Sequence, residues 1–588
     1  MSFSLKEVFR PKFFRLFRKG KYDRQTFISD LIAGIIVGII ALPLAIAFGI
    51  ASGVTPQQGL ITAIVAGFLI SLFGGSNFLI GGPTGAFIVI VAGIVAKFGM
   101  QGLIIASIMA GVILVVMGLL KLGGVFKFIP YPIVVGFTSG IAVTIFSTQM
   151  KDFFGYTIDI PSGFLPEWGA YLSNLGNINW AEASASIVCL LVIVFWSRLS
   201  KKVPGSLVAL VIGTVASVCL DRFAGIQLAT IGTKFPELAN GLPMPKPVVP
   251  EITFETVREL VSPAFTIAVL CAIESLLAAM VADGVTGKHH NSNTELIGQG
   301  IANIVTPLFG GIPATGAIAR TMASINNGGK TPVTGLIHAV VLLLIYLFLM
   351  PYAIYIPLSA LAAILVSVAY NMSEWRTFKY LLRGDKTDVA VLLITFFLTV
   401  IVDLTVAIEV GLLLAVILFV RRVMQTSSID VLDADSKIAG TEANEIVNPD
   451  DTQYLDIPEG VDVYEINGPF FFGLASKFDE FEDKKNKKRK AATKVRIIRM
   501  RNVPFVDSTG INNLRNIIDR NHRRGVKVIL SGVNPEVQAA LHKFGIDEKL
   551  SDGCIQPHII PALKRAQLFL SPYLSSRRKS AEAEHTRT

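Results

Sequence analysis

The chain has 588 residues, of which 52% are hydrophobic and 16% charged, with a formal net charge of +10. Soluble domains sit near a quarter charged, so this composition excludes a wholly soluble chain. The positive charge is concentrated at the start, which points to a membrane surface rather than to nucleic acid.

Lys6, Arg10, Lys12, Arg15, Arg18, Lys19, Lys21 and Arg24 precede the first long apolar stretch. By the positive-inside rule this segment, residues 1–27, is cytoplasmic. The stretch itself, 28–51, is too long for a signal peptide and lacks a small-residue cleavage site, so it reads as a span. Hydropathy and Gly/Pro breaks then predict segments at about 56–74, 83–97, 101–121, 129–149, 183–198, 204–220, 259–282, 295–309, 313–325, 331–350, 354–370, 387–402 and 405–422. The segments at 83–97 and 313–325 are short half-helices. Arg421 and Arg422 close the last span, so the C-terminal part of the chain is also cytoplasmic and the number of spans is even, in agreement with fourteen. The membrane unit covers 28–424. Gly34 and Gly38 form a GxxxG pair, read as close helix packing.

A repeat runs through this unit. Leu72-Phe73-Gly74-Gly75 recurs as Leu308-Phe309-Gly310-Gly311. Pro83 with Thr84-Gly85-Ala86 recurs as Pro313 with Thr315-Gly316-Ala317, and Ile129-Pro130 as Ile356-Pro357. Fourteen spans divide into seven and seven, and an odd repeat inserts its second copy upside down, the architecture of many secondary transporters. The half-helices after Pro83 and Pro313 then enter from opposite faces and meet near the midplane. Each N-terminus carries about half a positive charge, so the pair suits a small anion. The alternative is that the two Gly/Pro segments are ordinary kinks.

Two ionisable residues lie at membrane depth, where charge is expensive and marks function. Glu274, in SPAFTIAVLCAIESLLAAM, is placed to take up and release a proton, to hold Na⁺, or to pair with Arg320. Arg320 attracts an anion or neutralises Glu274; either is sensible, since a charge pair at 4 Å gains about 4 kcal/mol at an effective dielectric near 20. Asp283, near the helix end, reads as hydrated or capping. The polar run Asn291–Gly300 braces the broken helix or caps the next one through Asn293 or Thr294. His289-His290 reads as a loop pair rather than a metal site, and no cofactor is implied. Cys189, Cys219, Cys271 and Cys554 read as small buried hydrophobes.

Residues 425–452 are polar and acidic and read as a linker. After it, strands at Val461–Ile466, Val495–Met500 and Val526–Leu530 alternate with helical patterns at Phe472–Phe481, Gly510–Arg520 and Pro535–Phe544, a small α/β layer over 453–570 with a tail from 571 to 588. Lys484–Lys490 is a solvated or headgroup-facing charge run. Asp507-Ser508-Thr509-Gly510 begins a helix at a strand end, as a simple N-cap or as a phosphate or phosphorylation site.

The combination GGPTGA, NTELIGQGIANI, GGIPATGAIAR and the C-terminal DSTG resembles the sulfate permease (SulP) family of anion transporters over about 28–422 and 455–570. The resemblance implies an α-helical multi-pass membrane protein with fourteen transmembrane segments in a 7+7 inverted repeat. A core domain of segments 1–4 and 8–11 moves against a gate domain of segments 5–7 and 12–14, commonly in a homodimer, and the C-terminal unit is a cytoplasmic STAS domain. It places the anion pocket on Phe48, Thr84, Gly85, Ala86, Ala317, Ala319 and Arg320, the coupling carboxylate on Glu274, and a phosphorylatable pair on Ser508 and Thr509, with Thr509 the favoured target. In the family's sodium-coupled bicarbonate branch an aspartate stands at the Glu274 position and a threonine four residues later; here that second residue is Ala278, without an oxygen ligand. H⁺ is therefore expected as the coupling ion in preference to Na⁺.

The expected function is secondary active transport of a small anion (sulfate, bicarbonate or a dicarboxylate) across the cell's inner membrane, by alternating access, as proton-coupled symport or anion exchange. A sodium-dependent bicarbonate symporter is the alternative, and a membrane-tethered STAS signalling scaffold a third reading. The chain shows no nucleophile–base set, metal cluster or phosphate loop, so an enzyme is not expected.

Overall fold

The computed structural model describes residues 8–17, 22–128, 130–161, 163–199, 203–237, 253–402, 404–426, 428–432, 437–438, 453–454, 457–471 and 493–585. The chain forms two compact units, 1–415 and 416–588. The expected helix at 472–481, the basic run 484–490 and most of the segment 425–452 lie outside the described residues.

In the first unit α1 (Lys12–Phe17) precedes α2 (Arg24–Ala51) and α3 (Pro56–Phe73). The strand pair Gly81–Gly82 (β1) and a 3₁₀ turn over Gly85–Phe87 lead into α4 (Ile88–Leu119). Next come α5 (Tyr131–Phe154), α6 (Phe164–Ser173), α7 (Trp180–Leu199), α8 (Gly205–Cys219) and the single turn α9 (Ile231–Lys234). The second half holds α10 (Phe254–Thr286), α11 (Ser292–Val305), β2 (Thr315–Gly316) and α12 (Ile318–Asn326). It continues with α13 (Val333–Leu349), α14 (Leu358–Met372), α15 (Trp375–Leu381), α16 (Lys386–Phe397) and α17 (Leu404–Thr426).

Each of the fourteen expected segments falls on helix. Among the described residues eight helices have the length and hydropathy to cross a membrane. The segments expected at 83–97 and 101–121 run together in α4, interrupted at Gly99, whose φ of 65° is non-helical. A residue in that conformation is easily glycine and breaks the helix there. The short helices α6, α9 and α15 sit where only connections were expected. α6 is held by tertiary contacts: buried Glu167 accepts hydrogen bonds from Ser147 Oγ at 2.9 Å and from Tyr171 Oη at 3.0 Å. A ten-residue segment has little helical tendency without such support.

The helices sort into two packing groups. α2, α3, α4, α10, α11, α12 and α13 pack on one another, while α5, α7, α8, α14 and α16 form the other group. The GxxxG pair of α2 lies against α13, where a β-carbon on Gly34 would sit 2.7 Å from Ile337 Cβ and one on Gly38 would sit 2.8 Å from Val341 Cγ1. Small residues here let two backbones approach, the usual source of packing energy between helices in lipid. Cys189 and Cys271 are buried as expected, whereas Cys219 is exposed at the end of α8.

The second unit is a five-stranded sheet in the order β3-β6-β7-β8-β9, formed by Ser428–Leu432, Val461–Asn467, Val495–Asn502, Lys527–Ser531 and Ile555–Gln556; a separate two-stranded pair joins β4 (Lys437–Ile438) to β5 (Gln453–Tyr454). β3 is antiparallel to β6 and the other neighbours in the five-stranded sheet are parallel. The helices are α18 (Ser508–Arg523), α19 (Pro535–Lys543) and α20 (Ile559–His585). The segment read as a linker thus starts with an edge strand, whose polar alternation suits one solvated face. α20 likewise runs across position 571, where a tail was expected to begin. β7 is buried from Val495 to Met500, and the two arginines within that stretch are paired rather than solvated: Arg499 Nη1 lies 2.7 Å from Glu465 Oε1, and Arg496 Nη2 lies 3.7 Å from Asp462 Oδ2.

Candidate functional site

The two interrupted segments meet. β1 pairs antiparallel with β2, Gly81 opposite Gly316 and Gly82 opposite Thr315. Ala317 N–H extends the pairing to Ile80 O at 2.9 Å. Because the strands run in opposite senses, the helical segments beyond them leave in opposite directions, with their N-termini at the junction. Neither N-terminus has a side-chain cap: Thr84 and Ala317 stand at the cap positions and make no capping hydrogen bond. Uncapped N–H groups that carry partial positive charge are what an anion would bind.

Polar groups from neighbouring helices hold the irregular backbone. Asn303 of α11 accepts from Ala314 N–H at 2.9 Å and donates to Ala314 O at 2.8 Å. Ser275 of α10 accepts from Gly316 N–H at 3.1 Å and shares a 2.6 Å hydrogen bond with Thr315 Oγ1. Thr62 of α3 accepts from Ile312 N–H at 2.8 Å, and Thr321 Oγ1 accepts from Ile80 N–H at 3.1 Å. On the side of the first repeat, Glu295 Oε2 accepts from Gly75 N–H and Ser76 N–H, while Oε1 accepts from Gln299. The run Asn291–Gly300 therefore braces the first broken segment through Glu295, and Asn303 braces the second. The N-cap of α11 is Asn291, which accepts from Thr294 N–H at 3.1 Å; neither Asn293 nor Thr294 holds that place. Asn293 instead accepts from Gly123 N–H, and Thr294 binds the N-terminal segment through Val8 O and Arg10 N–H.

Arg320, 2% exposed, crosses from α12 to the first broken segment. Its Nη2 donates to Pro83 O at 2.6 Å and its Nη1 to Gly81 O at 3.3 Å. Gly82 makes room for it: a β-carbon there would lie 1.9 Å from Nη1, and its φ of 151° is outside the range comfortable for other residues. No ion pair joins Arg320 to Glu274, so the pairing considered for them is absent from this conformation. Glu274 is half-buried and its Oε2 accepts from Thr84 Oγ1 at 3.0 Å. Ala278, one turn on, is buried.

The remaining candidates fall around these. Gly85 and Ala86 are buried at the start of the first helical segment, with Phe48 of α2 nearby and buried. Ala317 is buried at the head of α12, whereas Ala319 is exposed. Asp283 accepts from His290 N–H at 2.9 Å and contacts its Nδ1 at 2.6 Å, so it organises the α10–α11 connection. Ser508 and Thr509 belong to the other unit. Both are exposed in the first turn of α18, whose N-cap Asp507 accepts from Gly510 N–H at 2.6 Å. Asp507→Ala is expected to destabilise that turn by about 1 kcal/mol, read as faster amide exchange at Thr509 and Gly510.

A sequence model of the sulfate permease family matches residues 27–395, and one of the STAS domain matches 454–566. YvdB of Bacillus subtilis (strain 168) is 41% identical over 530 residues, covering 90% of this chain and 96% of that protein. The bicarbonate transporter BicA of Synechocystis sp. (strain ATCC 27184 / PCC 6803 / Kazusa) is 32% identical over 541 residues, covering 90% and 92%. The solved structure of SLC26A9 superposes with a TM-score of 0.80 at 20% identity over 94% of this chain and 92% of that one, which carries the fold. From these matches and the two units just described, the chain belongs to the sulfate permease family of membrane anion transporters and ends in a STAS domain.

Proposed function

We propose that the protein is a secondary active transporter that carries a small anion between the N-termini of its two broken helices by alternating access, with Glu274 taking up the coupling proton. The observation that carries this reading is the antiparallel pairing of Gly81–Gly82 with Thr315–Gly316, which brings two uncapped helix ends to one point. Two such ends supply about one positive charge between them. Arg320 adds a full charge behind them while its guanidinium fixes the backbone that aims them. Phe48, Thr84, Gly85, Ala86, Ala317 and Ala319 surround the anion. Sulfate, bicarbonate and a dicarboxylate all fit this chemistry, in H⁺ symport or in exchange.

Glu274 reaches the site through the Thr84 hydroxyl, 3.0 Å from its Oε2. A change in its protonation therefore alters a residue at the head of the first helical segment. Sodium-coupled bicarbonate uptake is the second reading, favoured by the likeness to BicA. Against it, Ala278 offers no oxygen one turn from Glu274, and hard cations need several oxygen ligands. The basic N-terminal segment supports a cytoplasmic N-terminus in the inner membrane, with the STAS domain on the same side, and a homodimer is in keeping with the family pattern. Exposed Ser508 and Thr509, at a helix N-terminus, offer a place where a phosphate would be stabilised.

The test is uptake of labelled sulfate, bicarbonate and fumarate into proteoliposomes, with a pH gradient, a Na⁺ gradient or neither. Glu274→Gln is expected to abolish stimulation by the pH gradient while anion exchange continues. A pH response equal to wild type would remove Glu274 from coupling, and uptake driven by Na⁺ alone would favour the second reading.

A further inference from the structure

We infer that Met372 and Ile145 form the movable wall of the anion site and set the largest anion it admits. The inference rests on the transport reading above. Its starting point is Gly85, the first residue of the first helical segment. A β-carbon on Gly85 would lie 3.3 Å from Met372 Sδ, 3.5 Å from Ile145 Cδ1 and 3.7 Å from Phe48 Cε1. Three apolar tips from α14, α5 and α2 therefore converge on the helix end that faces the anion. Ile145 and Phe48 are buried and Met372 is half-buried.

The origin of these tips matters. Gly85 and Phe48 belong to the packing group of α2, α3, α4 and α10–α13, whereas Ile145 of α5 and Met372 of α14 belong to the other. The contact thus spans the line along which alternating access requires the two groups to shift. Next to Gly85, the Thr84 hydroxyl reaches the Glu274 carboxyl. The Thr84–Glu274 pair travels with the first group, whereas the apolar tips of Ile145 and Met372 are supplied by the second. An apolar wall gives an anion no hydrogen bond, so it contributes through shape: it excludes water and limits size. Methionine, unbranched and flexible, adapts to the anion as the groups move.

The contact can be tested by compensation. Gly85 has no positive φ, so alanine is tolerated by the backbone, but its methyl group presses on Met372 Sδ. Gly85→Ala is expected to slow uptake of the best small anion about tenfold, and adding Met372→Ala to restore most of it, a coupling of the size seen for residues in contact. Met372→Ala alone is expected to extend uptake from sulfate and fumarate to citrate, while Met372→Leu, of similar volume, keeps the wild-type size range. Wild-type transport with no recovery in the double variant and an unchanged size range in Met372→Ala would overturn the wall and leave the transporter intact. Failure of the wild type to move any of the tested anions would overturn both.

Discussion

Arg320→Ala is expected to abolish anion uptake in reconstituted vesicles and to remove measurable anion binding. Two losses combine. The variant lacks the positive charge behind the paired helix ends, and it leaves Gly81 O and Pro83 O without the donors that now reach them at 3.3 and 2.6 Å. A buried carbonyl left unpaired costs about 1–3 kcal/mol, and the carbonyls here belong to the segment that aims the first helix. Lysine is not expected to rescue. Its single ammonium cannot span two carbonyls as the planar guanidinium does. Equilibrium binding to the purified variant checks the charge, and uptake checks the geometry. Retained affinity in Arg320→Ala would take the anion site away from this junction. Restored uptake in Arg320→Lys would show that charge alone suffices.

Asn303→Ala is expected to be nearly as damaging, although the hydrogen bonds of Asn303 go to Cys271, Gln299 and Ala314 and to no candidate pocket residue. Its side-chain amide mimics a neighbouring strand, accepting from Ala314 N–H and donating to Ala314 O. Removing it orphans the buried Ala314 N–H and leaves Ala314 O with only the weak Cys271 Sγ–H donor at 3.4 Å. Side-chain hydrogen bonds between membrane helices average only about 0.6 kcal/mol, because separated helices find other partners. The Ala314 N–H is different: it lies in irregular backbone with no helical partner to fall back on, so about 1–3 kcal/mol applies to it. A lower melting temperature of the purified protein together with lost uptake is the expected outcome. Asn303→Asp keeps the acceptor, loses the donor and buries a charge, so it is expected to fail as well. A melting temperature equal to wild type in Asn303→Ala would show that the second broken segment is held from elsewhere.

The helices and the repeat were legible in the sequence because hydropathy and Gly/Pro punctuation are local properties. The same locality hid other features. Glu274 and Arg320 looked like natural partners, two opposite charges in an apolar setting. The fold gives Arg320 the carbonyls of Gly81 and Pro83, which no side-chain pattern advertises. Thr84 was readable as part of the repeat, but not as the hydroxyl that Glu274 would accept from, since 190 positions separate them. Asn303 stands just past the polar run expected to brace the broken helix, and its partner Ala314 carries no chemical signal in its side chain. Ile145 and Met372 read as ordinary apolar span residues, and only their convergence on Gly85 distinguishes them. In the second unit, Ser428–Leu432 reads as part of the polar linker around it, and its pairing with β6 makes it an edge strand.

The two-residue strands at the junction also bear on how the protein is made. Arg320 and Gly81 are 239 positions apart, and the bonds between them close only after most of the membrane unit has been synthesised. Until then the first broken segment has no strand partner, and its glycines and carbonyls stand open at membrane depth. Contacts so distant in sequence form late and slowly. Co-translational assembly therefore has a vulnerable interval between the two halves of the unit. A chain halted between Val305 and Pro313 would lack β2, α12 and Arg320, and would present quality-control machinery with an unclosed backbone gap rather than half of a working site.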